Sequence, residues 1–191
     1  MKFVETPIAG AYLIEPEPRR DERGWFARVW CRDELGALGL HAQFVQCNSS
    51  FSHVAGTLRG LHWQTAPHEE AKLVSCIAGA IYDVIVDVRP QSPTYTRWFG
   101  IELSAANKQM LYVAPGLAHG FQALEDATEV LYPVTAMYAP QAERGVRWND
   151  PFFAIAWPLA SKTNASPKDQ AWPDFVPEVS RAAVPQEPYQ A

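Results

Sequence analysis

The chain has 191 residues, with 16 Lys and Arg against 21 Asp and Glu for a net charge of −5; 48% of the residues are hydrophobic and only 19% are charged. A chain this apolar buries enough surface to offset its ordering entropy, which excludes intrinsic disorder, and its length fits one core with an appendage rather than two enzymatic domains. An acidic balance with basic residues scattered singly excludes the basic stripe that a nucleic acid or an anionic membrane requires, leaving small molecules or proteins as partners.

The N-terminus lacks the run of about 7–15 apolar residues that defines a signal peptide. Acids break every later apolar stretch well short of the roughly 18 residues of a membrane span. The only helical stretch is 33–40, with Asp33 as its N-cap and Gly39 as its stop, which argues against a βαβ nucleotide fold. Period-two alternation dominates the rest. A strand-like segment at 56–64 is followed by 72–88, where Val74, Cys76, Tyr82, Val84, Val86 and Val88 share one parity and a turn at Ala78-Gly79-Ala80 divides two strands. Asp83 and Asp87 take the other parity with Ile81 and Ile85. Short apolar segments follow at 98–103, 110–113, 120–124 and 129–136, separated by turn chemistry such as Arg89-Pro90-Gln91-Ser92-Pro93 and Trp148-Asn149-Asp150-Pro151.

Strands at this spacing predict an antiparallel sandwich or barrel over residues 1–160. After Trp157-Pro158 the alternation stops, and five of the 16 prolines fall in the last 25 residues. Residues 161–191 are therefore expected to form a tail that wraps the barrel, its final dozen residues loose. Cys31, Cys47 and Cys76 form no Cys-x-x-Cys pair and cannot all be bridged within one chain. Neither a disulfide framework nor a zinc ribbon is expected, and a reducing cytoplasm is the predicted location.

Four constellations carry candidate chemistry. In Arg59-Gly60-Leu61-His62, a spacing of three sends cation and imidazole to opposite faces of a regular strand. A bulge at Gly60 would return both to one cavity; without it, Arg59 is an outer charge and His62 a core histidine. His119 follows the turn Pro115-Gly116. With His62, His68 and Glu69 or Glu70 it would supply imidazoles and a carboxylate for a metal, as in cupin barrels, but the His-x-His pair those sites use is broken by Gln64. Tyr132 and Tyr138 share a parity, so both are expected to face one interior, a phenol serving as acid or as stacking surface. Ser166-Pro167-Lys168-Asp169 reads either as a solvated loop or as the support of a histidine.

The stretch from Asp21-Glu22-Arg23-Gly24 to Lys168-Asp169 resembles the dTDP-4-dehydrorhamnose 3,5-epimerase family of cupin-type jelly rolls. Its motifs are Arg59-Gly60-Leu61-His62-x-Gln64, Lys72-Leu73-Val74, Asp83-Val84-x-Val86-Asp87, Ser92-Pro93-Thr94, Pro115-Gly116-x-Ala118-His119-Gly120-Phe121 and Trp148-Asn149-Asp150. The resemblance implies an all-β jelly-roll barrel, homodimeric and independent of metals and cofactors, acting on a nucleotide-linked 4-keto-6-deoxyhexose. It implies His62 as base, Asp169 as its orienting carboxylate, Tyr132 as acid on the opposite sugar face and Lys72 as the cation for the enolate oxygen. Arg23, Gln46, Asn48, Arg59, His119, Glu143 and Lys168 fall on substrate-binding positions and Tyr138 on the position that stacks the nucleobase; Lys168 and Asp169 come from the tail. Arg28 and Pro133 depart from the pattern, where a glutamate and a lysine are usual. Arg28 keeps a sibling epimerase for a CDP-linked or differently deoxygenated sugar open. A metal-dependent cupin oxygenase and a catalytically silent sugar-binding cupin are the rivals from other classes.

Overall fold

The computed structural model describes residues 1–178. Its strands are β1 (Lys2–Glu5), β2 (Tyr12–Glu15), β3 (Arg19–Asp21), β4 (Gly24–Phe26), β5 (Gln46–Ser52), β6 (Thr57–Gln64), β7 (Lys72–Ala78), β8 (Ala80–Asp87), β9 (Trp98–Ser104), β10 (Met110–Val113), β11 (Leu117–Ala123), β12 (Thr128–Val134), β13 (Glu143–Gly145) and β14 (Asn164–Ala165). Two short helices, α1 (Arg32–Ala37) and α2 (Pro167–Gln170), complete them with single 3-10 turns at Pro140–Ala142 and Ala160–Lys162. One sheet runs β1-β2-β10-β7-β12-β5 and the other β13-β6-β11-β8-β9, with β14 lying parallel beside β6 and β3-β4 a separate hairpin. The result is an all-β jelly roll.

The alternation places the core. In β8, Ile81 and Ile85 belong to the apolar cluster shared by both sheets, whereas Val84 and Val86 pack into a second cluster with Leu58, Val146, Phe153 and Trp157. Both faces of β8 are therefore covered, which is why it reads as an almost unbroken hydrophobic run. Its partner in sequence, β7, lies in the other sheet, so the turn at Gly79 is a crossing between layers and the shared parity of 72–88 does not mark one face.

Three boundaries differ from expectation. Helix α1 begins one residue before Asp33, with Cys31 as N-cap and Asp33 in the first turn. It ends as foreseen, the Leu40 N–H reaching the Leu35 carbonyl and the Gly39 N–H that of Gly36, the Schellman arrangement around a left-handed Gly39. Strand β12 stops at Val134, so Tyr138 lies outside it. The tail holds α2, whose four residues are too few to show a helical period.

From 161 to 178 the tail lies against the second sheet. Asn164 and Ala165 pair with Thr57 and Leu58 of β6, and Phe175 packs on Phe153 with ring centroids 4.8 Å apart. Asp150, in the Trp148-Asn149-Asp150 motif, accepts hydrogen bonds from the Phe152 and Phe175 backbones and ties this segment down. The expectation of a loose final dozen concerns residues 180–191, which lie outside the described ones.

Candidate active site

The odd spacing in β6 is absorbed by a bulge. Against β11, His62 stands opposite His119 and Arg59 opposite Phe121, so three steps on β6 match two on β11. The surplus residue falls at Gly60-Leu61. Gly60 has φ +119°, and a Cβ there would sit 2.6 Å from the Gly120 Cα and 2.8 Å from the His119 carbonyl, so no other residue fits. Arg59 and His62 consequently line one cavity of about 600 Å³ together with Lys72, His119, Tyr132, Lys168 and Asp169.

Within it, His62 Nε2 lies 2.6 Å from Asp169 Oδ1, across 107 positions of sequence. Asp169 is 5% exposed, which removes the solvated-loop reading. Its other oxygen accepts from the Ser166 hydroxyl at 2.8 Å, while the Asp169 N–H donates back to that hydroxyl at 3.1 Å. Burial pushes the Asp169 carboxyl up, but the imidazole and the Ser166 hydroxyl outweigh it and hold the group below its ordinary value. It is a fixed anion behind the histidine.

Lys72, on β7 of the opposite sheet, is 8% exposed and directs Nζ to the His62 carbonyl at 3.5 Å and to Glu70 at 3.3 Å. Gln64 is occupied elsewhere: its amide donates to the His68 carbonyl and to Glu70 and accepts from the Ala139 N–H. A side chain so engaged is part of the wall.

A smaller adjoining cavity shares His62, Lys72 and Tyr132 with the first and adds Gln46, Asn48, Trp63, Glu70, Tyr138 and Glu143. Tyr132 is paired with Asn48 across β12 and β5. Burial raises the Tyr132 phenol above its ordinary value, with Arg59 opposing, so it carries its proton at neutral pH. Tyr138 lies at the rim, 56% exposed, and shares the cavity through a loop rather than through strand parity. Its hydroxyl donates to Glu143 at 2.8 Å, and Lys168 donates to both Glu143 oxygens at 2.7 Å. Burial raises the Glu143 carboxyl, but Lys168 and Tyr138 prevail and lower it overall. Three expected substrate contacts thus hold one another.

His119 has a partner that the sequence reading did not assign. Its Nε2 lies 2.7 Å from Asp83 Oδ1, both side chains being buried, and Asp83 Oδ2 has no partner among the described residues. The signal was available: an acid inside an apolar strand, sharing the inward parity of Ile81 and Ile85, must meet a compensating group. Glu70 and Trp63 also line the cavity without having been singled out as substrate contacts.

Arg23 is the exception among the expected residues. It sits on the β3-β4 hairpin, bonded to Asp21 with its side chain 85% exposed, and lines neither cavity. Arg28 pairs with Glu34 of α1 at 2.9 Å. Pro133 lies within β12 opposite Cys47. Among the described residues no three His, Cys, Asp or Glu side chains converge to hold a metal ion, and no helix is long and apolar enough to cross a membrane. All three cysteines are free.

A relative from Sinorhizobium fredii, named dTDP-4-dehydrorhamnose 3,5-epimerase, is 43% identical over 179 residues, covering 92% of this chain and 90% of the relative. The crystal structure of dTDP-4-dehydrorhamnose 3,5-epimerase from Elizabethkingia anophelis superposes with a TM-score of 0.89 at 42% identity, covering 92% of this chain and 96% of that one. That of the Bacillus anthracis enzyme with TDP and pyrophosphate bound gives 0.87 at 44% identity, covering 91% and 99%. The family model described as dTDP-4-dehydrorhamnose 3,5-epimerase matches residues 5–176, nearly the whole described structure, and the chain therefore belongs to that family.

Proposed function

We propose that this protein epimerises a dTDP-linked 4-keto-6-deoxyhexose at C3, C5 or both, by removing the hydrogen beside the ketone and returning a proton to the opposite face. The observation that carries the reading is the 2.6 Å His62–Asp169 pair in a cavity shared with Lys72 and Tyr132. A neutral imidazole is a suitable base near pH 7, and the carboxylate behind it fixes the tautomer and steadies the imidazolium that forms. Lys72, itself 8% exposed, supplies positive charge for the enolate oxygen. Tyr132, protonated and on the opposite sheet, returns the proton from the other side. Arg59 and Lys168 suit the diphosphate, with Gln46, Asn48, His119 and Glu143 as polar contacts and Tyr138 as the stacking face for the base.

In this reading residues 1–160 form the barrel and 161–191 the tail that contributes Lys168 and Asp169. The assembly is a homodimer. Arg23 joins the substrate set only if a second subunit presents it, and the segment beside it is suited to that contact, with Trp25, Phe26, Val29 and Trp30 all 45–74% exposed. The mass in solution should be twice the 21.3 kDa of the chain.

The deciding experiment incubates the enzyme with dTDP-, CDP- and GDP-linked 4-keto-6-deoxyglucose in D₂O and follows deuterium at C3 and C5 by NMR. Uptake from the dTDP sugar, undiminished by exhaustive chelation, is expected. Preference for the CDP sugar would move the protein to a sibling activity, and activity restored by one particular ion would favour the oxygenase-like reading.

A further inference from the structure

The carboxylate assigned to the base stands on an element with little stability of its own. Helix α2 has four residues, far fewer than an isolated helix needs. The chain around it is fastened at β14 on one side and at Phe175 on the other. Between those anchors lies Trp172, which no role in the reaction has claimed.

Trp172 meets His62 edge-on, with ring centroids 6.0 Å apart and planes at 61°. The place it occupies is set by Gly145, which stands opposite His62 in the β13-β6 register. A Cβ at Gly145 would lie 2.4–2.6 Å from indole Cε2, Cδ2 and Nε1, so the ring rests on bare backbone and any larger residue must displace it. Lys168 Nζ lies 5.9 Å from the same ring, within the range of a cation–π contact. Seating the ring leaves Nε1–H buried with no acceptor among the described residues. The contact is therefore made by the ring and not by its polar handle.

We propose that Trp172 is a positioning residue for the His62–Asp169 pair: seated on Gly145, its indole walls one edge of the imidazole and holds α2 so that the carboxylate meets Nε2. This rests on the proposed reaction for its kinetic consequence, but the seating itself is testable without substrate. If it is correct, Phe at 172 serves far better than Ala, because a six-membered ring remains beside Gly145 and the imidazole although the five-membered ring and its unsatisfied donor are lost.

Two measurements test it. In steady-state kinetics with the dTDP-linked 4-keto sugar, Trp172→Ala and Gly145→Ala should each lower kcat at least tenfold with KM within twofold, while Trp172→Phe stays within threefold of wild type. In emission, the Trp172 contribution, taken as wild type minus Trp172→Phe, should resist quenching by added acrylamide, and Gly145→Ala, which displaces the ring, should remove that protection. Trp172→Ala turning over within twofold of wild type, or acrylamide protection that persists in Gly145→Ala, overturns the proposal. Should Gly145→Ala fail to fold, the Ala and Phe variants at 172 decide it alone. A wild type that turns over no dTDP-linked keto sugar refutes the proposed reaction, and the emission experiment still decides whether the indole is seated on Gly145.

Discussion

Asp83 and Asp87 stand four residues apart on the inward parity of β8, both fully buried, yet their surroundings differ in kind. Asp87 takes both Arg89 Nε at 2.9 Å and NH2 at 2.8 Å, the Arg89 backbone N–H, the Thr94 hydroxyl at 2.6 Å and the Ser92 hydroxyl. The cluster reaches on to the Ala9 backbone through Arg89 and Thr94 and closes there. Asp83 has His119 as its side-chain partner and a second, buried oxygen with none among the described residues, and His119 lines the cavity that His62, Lys72 and Tyr132 share. The same residue type on the same strand is structural where its valences are filled and belongs to the site where they are not.

This contrast can be broken by substitution. The largest effect is expected at the open end: His62→Ala should reduce deuterium uptake about 10³-fold, equivalent to about 4 kcal/mol of barrier, while unfolding in denaturant stays within about 1 kcal/mol of wild type. At the closed end the pattern reverses. Asp87→Asn should cost about 3 kcal/mol of stability by leaving Arg89 without its buried counter-charge, yet preserve kcat at temperatures where the variant is folded. A loss of kcat with unchanged stability would erase the distinction between the clusters.

The same carboxylate makes the contrast dependent on pH. Burial alone would raise the Asp87 carboxyl, but Arg89, Ser92 and Thr94 hold it below its ordinary value. A depressed folded-state pKa contributes stability above the unfolded value near 4 and loses it as pH falls through the folded value. Stability measured by chemical denaturation should therefore fall from about pH 4 downwards, less steeply in Asp87→Asn than in wild type.

Smaller effects sharpen the division of labour inside the site. Tyr132→Phe keeps the ring and loses the acid, so exchange with D₂O should persist while inverted product falls about 10²-fold, or about 2.7 kcal/mol. Equal loss of exchange and product would mean that Tyr132 is not the second-face donor. Tyr138→Ala should weaken nucleotide binding by about 1–2 kcal/mol, the scale of base stacking on an aromatic ring, and Tyr138→Phe should leave calorimetric affinity nearly unchanged.

Much of the fold is legible in the sequence, for identifiable reasons. Strands β7 to β12 are legible as short apolar runs bounded by turn residues, β8, β10 and β11 being buried on both faces, and Gly60 offers a bulge as the one way for Arg59 and His62 to share a cavity. What escaped detection was set by distance in sequence or by brevity. No local pattern links His62 to Asp169, and only family resemblance paired them. Helix α2 is shorter than any period that would reveal it. The extension of β12 to 136 failed because backbone pairing ends at Val134 although apolar residues continue, and Tyr138 reaches the rim by a loop that parity does not describe. The His119–Asp83 pair leaves only one local signal, an acid inside an apolar strand, which demands a partner without naming it.

The 107 positions between His62 and Asp169 also set an order of events during synthesis. At roughly 5–20 residues per second, the ribosome makes the imidazole roughly 5–20 s before the carboxylate that pairs with it. Late in that interval, once β12 has been made, the strands that carry Lys72, His119 and Tyr132 have all been translated, while the element that completes the histidine has not. A nascent barrel can enclose a ligand before it can hold the His62 imidazole in its final orientation, so the last stretch of translation closes the circuit.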